Sequence, residues 1–293
     1  MDSSYTLTHG SPLSAMGALA NLNPIQGVYT GYCLDGKGNP PLIGQLRYAL
    51  GAKAAHLAFL APVERFNTNT LSDLLEHLAT KAGEWGAFHL LAEVDDQTKA
   101  FEGMRQAGFS IFAWQRIWKF KAVQVPLGST DRRTWQVARD ADQIAVRSLY
   151  QSLVPALVQP SESMGEKGLQ GMVCRTEEGE ITAFADLIYG PRGIWVQPFV
   201  HPSSDHVTTL LADLICSLPR RGGRPVYLCI RSYQGWLEAA MEDLNVEVGP
   251  RQALMIKHLA ITQRAVQPAL IPALEKGRAE PSAPIANIDQ KGP

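Results

Sequence analysis

The chain is poor in the signatures by which an enzyme usually announces its chemistry. Its four cysteines, Cys33, Cys174, Cys216 and Cys229, show no C-x-x-C spacing. They fall in apolar runs, where a thiol behaves as a small hydrophobe, and this argues against a thiolate metal site or a redox pair. The seven histidines form no H-E-x-x-H pattern, so no metal is expected. G-x-S-x-G, Walker-type and G-x-G-x-x-G loops are missing as well. No apolar stretch approaches the roughly 18 residues of a membrane span, and residues 1–10 are polar without a basic flank, so a soluble, cytoplasmic protein is the expectation. An excess of charge is lacking too: 27 basic residues face 28 acidic ones, leaving no field to gather nucleic acid.

What is present is ordinary globular composition, 45% apolar and 19% charged, spread over 293 residues. That length exceeds one typical domain and suits two. An internal repeat supports the division. In its first copy, Phe59-Leu60-Ala61-Pro62 closes a strand, a helical pattern runs from Leu71 to Trp85, and Gly86 leads into a strand from Phe88 to Val94. In its second, Trp195-Val196-Gln197-Pro198 closes a strand, a helical pattern runs from His206 to Leu218, and Gly223 leads into Val226 to Arg231. Identities follow at a fixed spacing. Gln97 and Gln234, Met104 and Met241, and Gln115 and Gln252 are each 137 apart, while Pro62 and Pro198 are 136 apart.

Upstream of each such strand lies a hairpin. Gly27 to Cys33 returns as Ile43 to Leu50 in the first copy, and Met172 to Arg175 as Ile181 to Ile188 in the second. Asp142 to Leu153 reads as an amphipathic helix opening the second copy; the first offers only a short counterpart around Ser14 to Leu22, so its start looks shortened. The expected organisation is a first domain over 1–122, a linker over 123–133, a second domain over 134–261 and a mobile Pro/Ala-rich tail over 262–293. Phe112, Trp114 and Trp118 alternate along one strand face and are expected to pack in a core or between domains.

Strand, hairpin, strand, helix, strand, short helix, final strand resembles the order of the GNAT superfamily of acyl-CoA-dependent acyltransferases. Glu84-Trp85-Gly86-Ala87 before a strand, then Ala100 through Ala107-Gly108-Phe109, resembles the family's run in which a short helix ends at Gly-Phe. The resemblance spans roughly Gly27 to Phe120 and Thr134 to Ala260, and the whole looks like a tandem GNAT-fold protein of mixed α/β class. It implies an N-acyltransferase of the kind that moves groups other than amino-acyl groups, with acetyl-CoA or another acyl-CoA as co-substrate and a small-molecule or protein amine as acceptor. Two copies in one chain could form an internal pseudo-dimer and leave the protein monomeric.

In that family the pantetheine lies along the splayed fourth strand, and the pyrophosphate rests on backbone amides of an R/Q-x-x-G-x-G/A loop that opens the next helix. The resemblance thereby assigns Leu60, Ala61, Arg65, Asn67, Thr68, Asn69, Thr70 and Leu71 to the cofactor. Neither glycine of the loop is present in Arg65 to Leu71, nor in His201 to Val207. Thr70 with Asp73 approximates a capping box, and Asp205 stands at the start of the second helix, so helix capping competes with phosphate binding at both places. Met104 and Met241 occupy the slot where many members carry the tyrosine that protonates the leaving thiolate, and both are expected to be core filler. Tyr233 lies near that slot as a candidate acid. Glu64 is the candidate base, with His201 and Glu93 weighed beside it. A non-catalytic tandem module that binds a small molecule or a protein remains the alternative function.

Overall fold

Alternation sets the strands and a wider spacing sets the helices. Leu42, Leu46 and Tyr48 point to one side of a strand, and Leu71, Leu74, Leu75 and Leu78 form a stripe along a helix; all are buried. The structure is a computed structural model that describes residues 2–10, 26–34, 39–66, 68–121, 135–162 and 168–259. The element order is α1 (Ser3–His9), β1 (Gln26–Cys33), β2 (Leu42–Ala49), β3 (Ala54–Ala61), α2 (Thr68–Glu84), β4 (His89–Asp95), α3 (Lys99–Gln106) and β5 (Ser110–Phe120). Then come β6 (Trp135–Val137), α4 (Gln143–Leu153), β7 (Gly171–Arg175), β8 (Ile181–Tyr189), β9 (Ile194–Val200), α5 (Val207–Ser217), β10 (Val226–Arg231), α6 (Leu237–Asp243), β11 (Glu247–Val248) and β12 (Gln252–His258). The hairpin, parallel strand, helix and further strand of β1 to β4 recur in β7 to β10, so the repeat is real. The expected linker, the tail and the short helix around Ser14 to Leu22 lie outside the described residues.

All twelve strands belong to one mixed sheet in the order β1-β2-β3-β4-β12-β5-β10-β9-β8-β7-β6, with β11 beside β5. Each repeat's last strand is therefore exchanged: β12 pairs with β4 of the first repeat, and β5 with β10 of the second. The two exchanged strands also pair antiparallel with each other, and Gln115 faces Gln252. A residue that faces its own counterpart across an antiparallel pair is what a twofold axis normal to the sheet produces. The internal pseudo-dyad thus passes through the pair of glutamines already matched in the sequence. Element order was legible there, but strand partners were not.

One face of the sheet carries α2 and α3 over the first repeat, with Leu57, Leu90 and Met255 in their core, and α5 and α6 over the second, with Val196, Leu228 and Trp118. Met104 and Met241 are both fully buried there, as the packing reading expects. The opposite face is covered by α4, over Val173, Phe184 and Phe199, and by α1, whose Leu7 packs on Ile117, Trp195 and Cys229. The aromatics of β5 separate among three clusters, Phe112 with the α4 core, Trp114 with the α2 core and Trp118 with the α5 core. A register shift against β12 leaves Phe112 unpaired and turns it away from Trp114.

Three local expectations are corrected. Pro198 lies inside β9 opposite Ala185, two residues before the strand ends, whereas Pro62 follows the last residue of β3; the two prolines are not equivalent. α2 starts at Thr68, so Thr70 is a buried residue within the helix and Asp73 stands beyond the first turn, where it cannot complete a capping box. The cap of α5 is His206, in the left-handed region at φ 52°, with no side-chain hydrogen bond and no carboxylate in the first turn.

Candidate functional site

In each repeat two parallel strands begin together and then part. β3 and β4 pair over Ala54–His89, Ala55–Leu90 and His56–Leu91; β9 and β10 pair over Ile194–Val226, Trp195–Tyr227 and Val196–Leu228. Beyond these three pairs the facing edges leave the ladder, and their backbone groups need other partners. In the second repeat one side chain supplies them. Gln234 is 1% exposed; its amide oxygen accepts from the Val200 N–H at 2.8 Å and its amide nitrogen donates to the Pro198 carbonyl at 2.9 Å. The second cleft is therefore closed by the protein itself. Gln97, its match in the first repeat, is exposed in the turn after β4 at φ 59°.

The clefts differ in a second way. Pairing of β2 with β3 jumps from Gln45–Phe59 to Leu46–Leu57, so Ala58 is bulged out of the ladder, while β8 and β9 pair without interruption. A bulge leaves a backbone group unpaired and re-aims the strand, and bulges of this kind gather beside active sites. After β3 the chain makes a short turn, Val63–Arg65, and enters the 17-residue α2, whose first turn carries no acidic residue. The partial positive charge of that helix start is thus uncancelled from within its own first turn.

On the face away from α2 and α5, a buried polar network crosses the pseudo-dyad. Gln115 donates to Gln252 Oε1 at 2.7 Å and to Glu93 Oε2 at 3.1 Å, and Gln252 donates to Asp95 Oδ1 at 2.8 Å. Arg231 donates to Gln115 Oε1 and stands 3.0 Å from Glu162, which also accepts from Tyr233 at 2.8 Å. Burial pushes the Tyr233 phenol far up, and the neighbouring Glu162 charge adds to it. Burial likewise pushes the Cys229 thiol up to about 12, which removes it as a nucleophile. Asp186 on β8, opposite Gln197, is raised by burial to about 6.

α1 lies across this network. The Ser3 N–H donates to Glu93 at 2.8 Å and its hydroxyl to Gln252 at 3.0 Å; Asp2 pairs with Arg47 at 2.9 Å; and the Arg192 N–H donates to the Thr8 carbonyl at 2.8 Å. Gly190 permits the approach, since a Cβ there would come within 2.3 Å of the Thr8 carbonyl oxygen. Between α1 and the sheet lies a pocket of about 490 Å³, bounded by Leu7, by the bulge at Ala58 and Phe59, by Ile117 and Tyr227, and by Val248 to Pro250.

No family model and no curated protein matches the chain. Among solved structures, a GCN5-related N-acetyltransferase from Sphaerobacter thermophilus superposes with a TM-score of 0.50 at 15% identity, over 76% of this chain and 83% of its own. The chain has the GCN5-related N-acetyltransferase (GNAT) fold. A GCN5-related N-acetyltransferase from Kribbella flavida aligns at a TM-score of 0.49 and 15% identity, over 74% and 86% of the two chains. A tandem GNAT protein from the clavulanic acid biosynthesis pathway aligns at 0.47 and 16%, over 83% and 86%.

Within the GNAT fold the expected site residues separate. Glu64, exposed, and Arg65, half-buried, share the turn before α2; Thr68, Asn69 and Thr70 form its first turn, and Asn67 lies outside the described residues. Leu60 and Leu71 are core side chains, able to offer a ligand only backbone groups. Ala61 ends β3 half-buried. Tyr233 packs with the α4 cluster of the second repeat and not beside Glu64. Glu93 is engaged by Ser3 and Gln115, and His201 bonds Ser203 in its own loop. Gln234, Glu162, Arg231 and Asp186 carry the polar chemistry of the second repeat and were missed. The signal for Asp186 was a single carboxylate in the apolar run Ile181 to Tyr189.

Proposed function

We propose that the chain is an acyl-CoA-dependent N-acyltransferase in which the first repeat holds the donor and the second serves as its structural partner. The observation that carries this is the unequal fate of the two matched glutamines: Gln234 fills the cleft between β9 and β10, whereas Gln97 stays outside the cleft between β3 and β4. Amides of a pantetheine arm would take the backbone positions along 57–61 that correspond to those Gln234 satisfies. The start of α2, with Arg65, would face the pyrophosphate. Acetyl-CoA is the simplest donor. The acceptor amine attacks the thioester carbonyl, a C–N bond forms as the C–S bond breaks, and coenzyme A leaves as thiolate. Met104 has no proton to give, so the thiolate takes one from solvent or from the ammonium generated in the attack. Positioning is then the main contribution of the protein.

The glycine-free loop between β3 and α2 favours a second reading, a module that binds an acyl-CoA or a smaller anion without turnover. Calorimetric titration with acetyl-CoA tests the first. Asn69 is exposed in the first turn of α2, and Asn69→Asp should leave the fold as stable or slightly more so while weakening binding about tenfold, because a carboxylate there favours the helix and repels the phosphates. Binding that is unmoved by Asn69→Asp would take the donor away from the start of α2 and sink the proposal. Binding without any transfer to a panel of amines would favour the module.

A further inference from the structure

We infer that the pocket beneath α1 receives the acyl chain of the donor, and that the preferred donor carries a medium-length hydrocarbon acyl group in place of acetyl. This rests on the placement of the donor proposed above. Ala58 and Phe59 border the pocket, and they are the β3 residues just past the last pairing with β4, where His56 meets Leu91. A thioester brought up between β3 and β4 from the α2 end would have its carbonyl beside that bulge and its chain directed into the pocket.

The lining suits hydrocarbon. Leu7, Ala58, Phe59, Ile117 and Val248 present apolar surface, and about 490 Å³ lies within the range of pockets that enclose a small ligand. An amine acceptor would want a carboxylate able to take its proton. The carboxylate at the α1 end, Asp2, is already committed: Oδ2 pairs with Arg47 at 2.9 Å, and Oδ1 accepts from Tyr5 N–H at 3.0 Å and from Ser4 at 2.9 Å. Of the other charged residues of the lining, Glu247 pairs with Lys121 at 3.4 Å, and Lys119 stands opposite Glu247 in the β5–β11 register.

Calorimetry with coenzyme A, acetyl-CoA, butanoyl-CoA, hexanoyl-CoA and octanoyl-CoA tests the inference on the full chain. Burial of each methylene should tighten binding by up to about fourfold, so hexanoyl-CoA should bind at least about tenfold more tightly than acetyl-CoA. Val248 is half exposed, and Val248→Trp should fill the pocket and remove that preference. Leu7→Ser, which makes the covering helix polar, should reduce the preference in the same direction. Equal affinity for acetyl-CoA and hexanoyl-CoA would overturn the inference and leave the acyltransferase reading standing. So would saturable binding of phenethylamine that Val248→Trp abolishes, since the pocket would then belong to the acceptor. Failure of every thioester and of coenzyme A itself to bind would remove both the inference and the reading beneath it.

Discussion

The two repeats share one architecture and have treated its central opening in opposite ways. In the second, an interior glutamine spans the gap between β9 and β10, the register of β8 with β9 is unbroken, and a polar cluster of Arg231, Glu162 and the neutral Tyr233 is locked beneath α4. In the first, the matching glutamine faces solvent, β3 bulges at Ala58, and a pocket opens at the bulge. The difference teaches that a cleft intrinsic to a fold is not by itself a site, because its free backbone groups can be satisfied from inside the chain. Asking where the backbone hydrogen bonds go distinguishes the filled opening from the available one.

The comparison can be broken most directly at the glutamines. Gln234→Ala strands a buried N–H and a buried carbonyl, and should cost about 2–4 kcal/mol in urea unfolding. Gln97→Ala, at an exposed position, should stay within about 0.5 kcal/mol. Equal losses would show that the two positions play the same part. Next in size is the pH dependence of the second repeat. Asp186 is raised by burial to about 6, above its unfolded value near 3.8. Its folded form therefore binds the proton more tightly: the stabilisation is complete below about pH 3.8 and is lost as pH rises through about 6, for at most about 3 kcal/mol. Gln45, at the corresponding place in β2, carries no charge to bury. Asp186→Asn should raise the melting temperature at pH 8 and lose that advantage by about pH 4; a constant difference across this range would contradict the assignment. Smallest is Tyr233→Phe, which removes one donor from Glu162 and should cost about 1 kcal/mol while leaving acyl-CoA affinity unchanged. A large loss of affinity there would move the donor site toward the second repeat.

How much of this was legible before the structure depended on the range of the interaction involved. Periodicity located the strands and helices of both repeats closely, with β10 matching at Val226 and Arg231, because alternation and helical spacing are local properties. The spacing of Gln115 and Gln252 held the clue to the pseudo-dyad, yet a constant offset marks equivalence and says nothing of which strand lies beside which. Pro62 and Pro198 misled because a proline is tolerated inside β9 where that strand has parted from β10, so it does not mark the strand's end there. α1 escaped notice because seven residues with Asp2 as cap show too little periodicity to separate a helix from a polar terminus. Gln234 could not have been singled out, since glutamine occurs as often on surfaces as in a sealed gap. The cofactor residues assigned by resemblance fall around one turn, and Leu60 and Leu71 show that such a stretch mixes ligand-facing and core positions.

The exchange of β5 and β12 bears on how this chain can be divided. Remove everything after residue 121 and the inner edge of β4 is left bare while β5 has lost both strands it lay between, β12 and β10; the most direct repair is for a second copy of the same fragment to supply what is missing. An isolated first half should therefore be recovered as a pair, with two clefts of the open kind related by true symmetry. In the intact chain the covalent link allowed one of those openings to be closed without sacrificing the other.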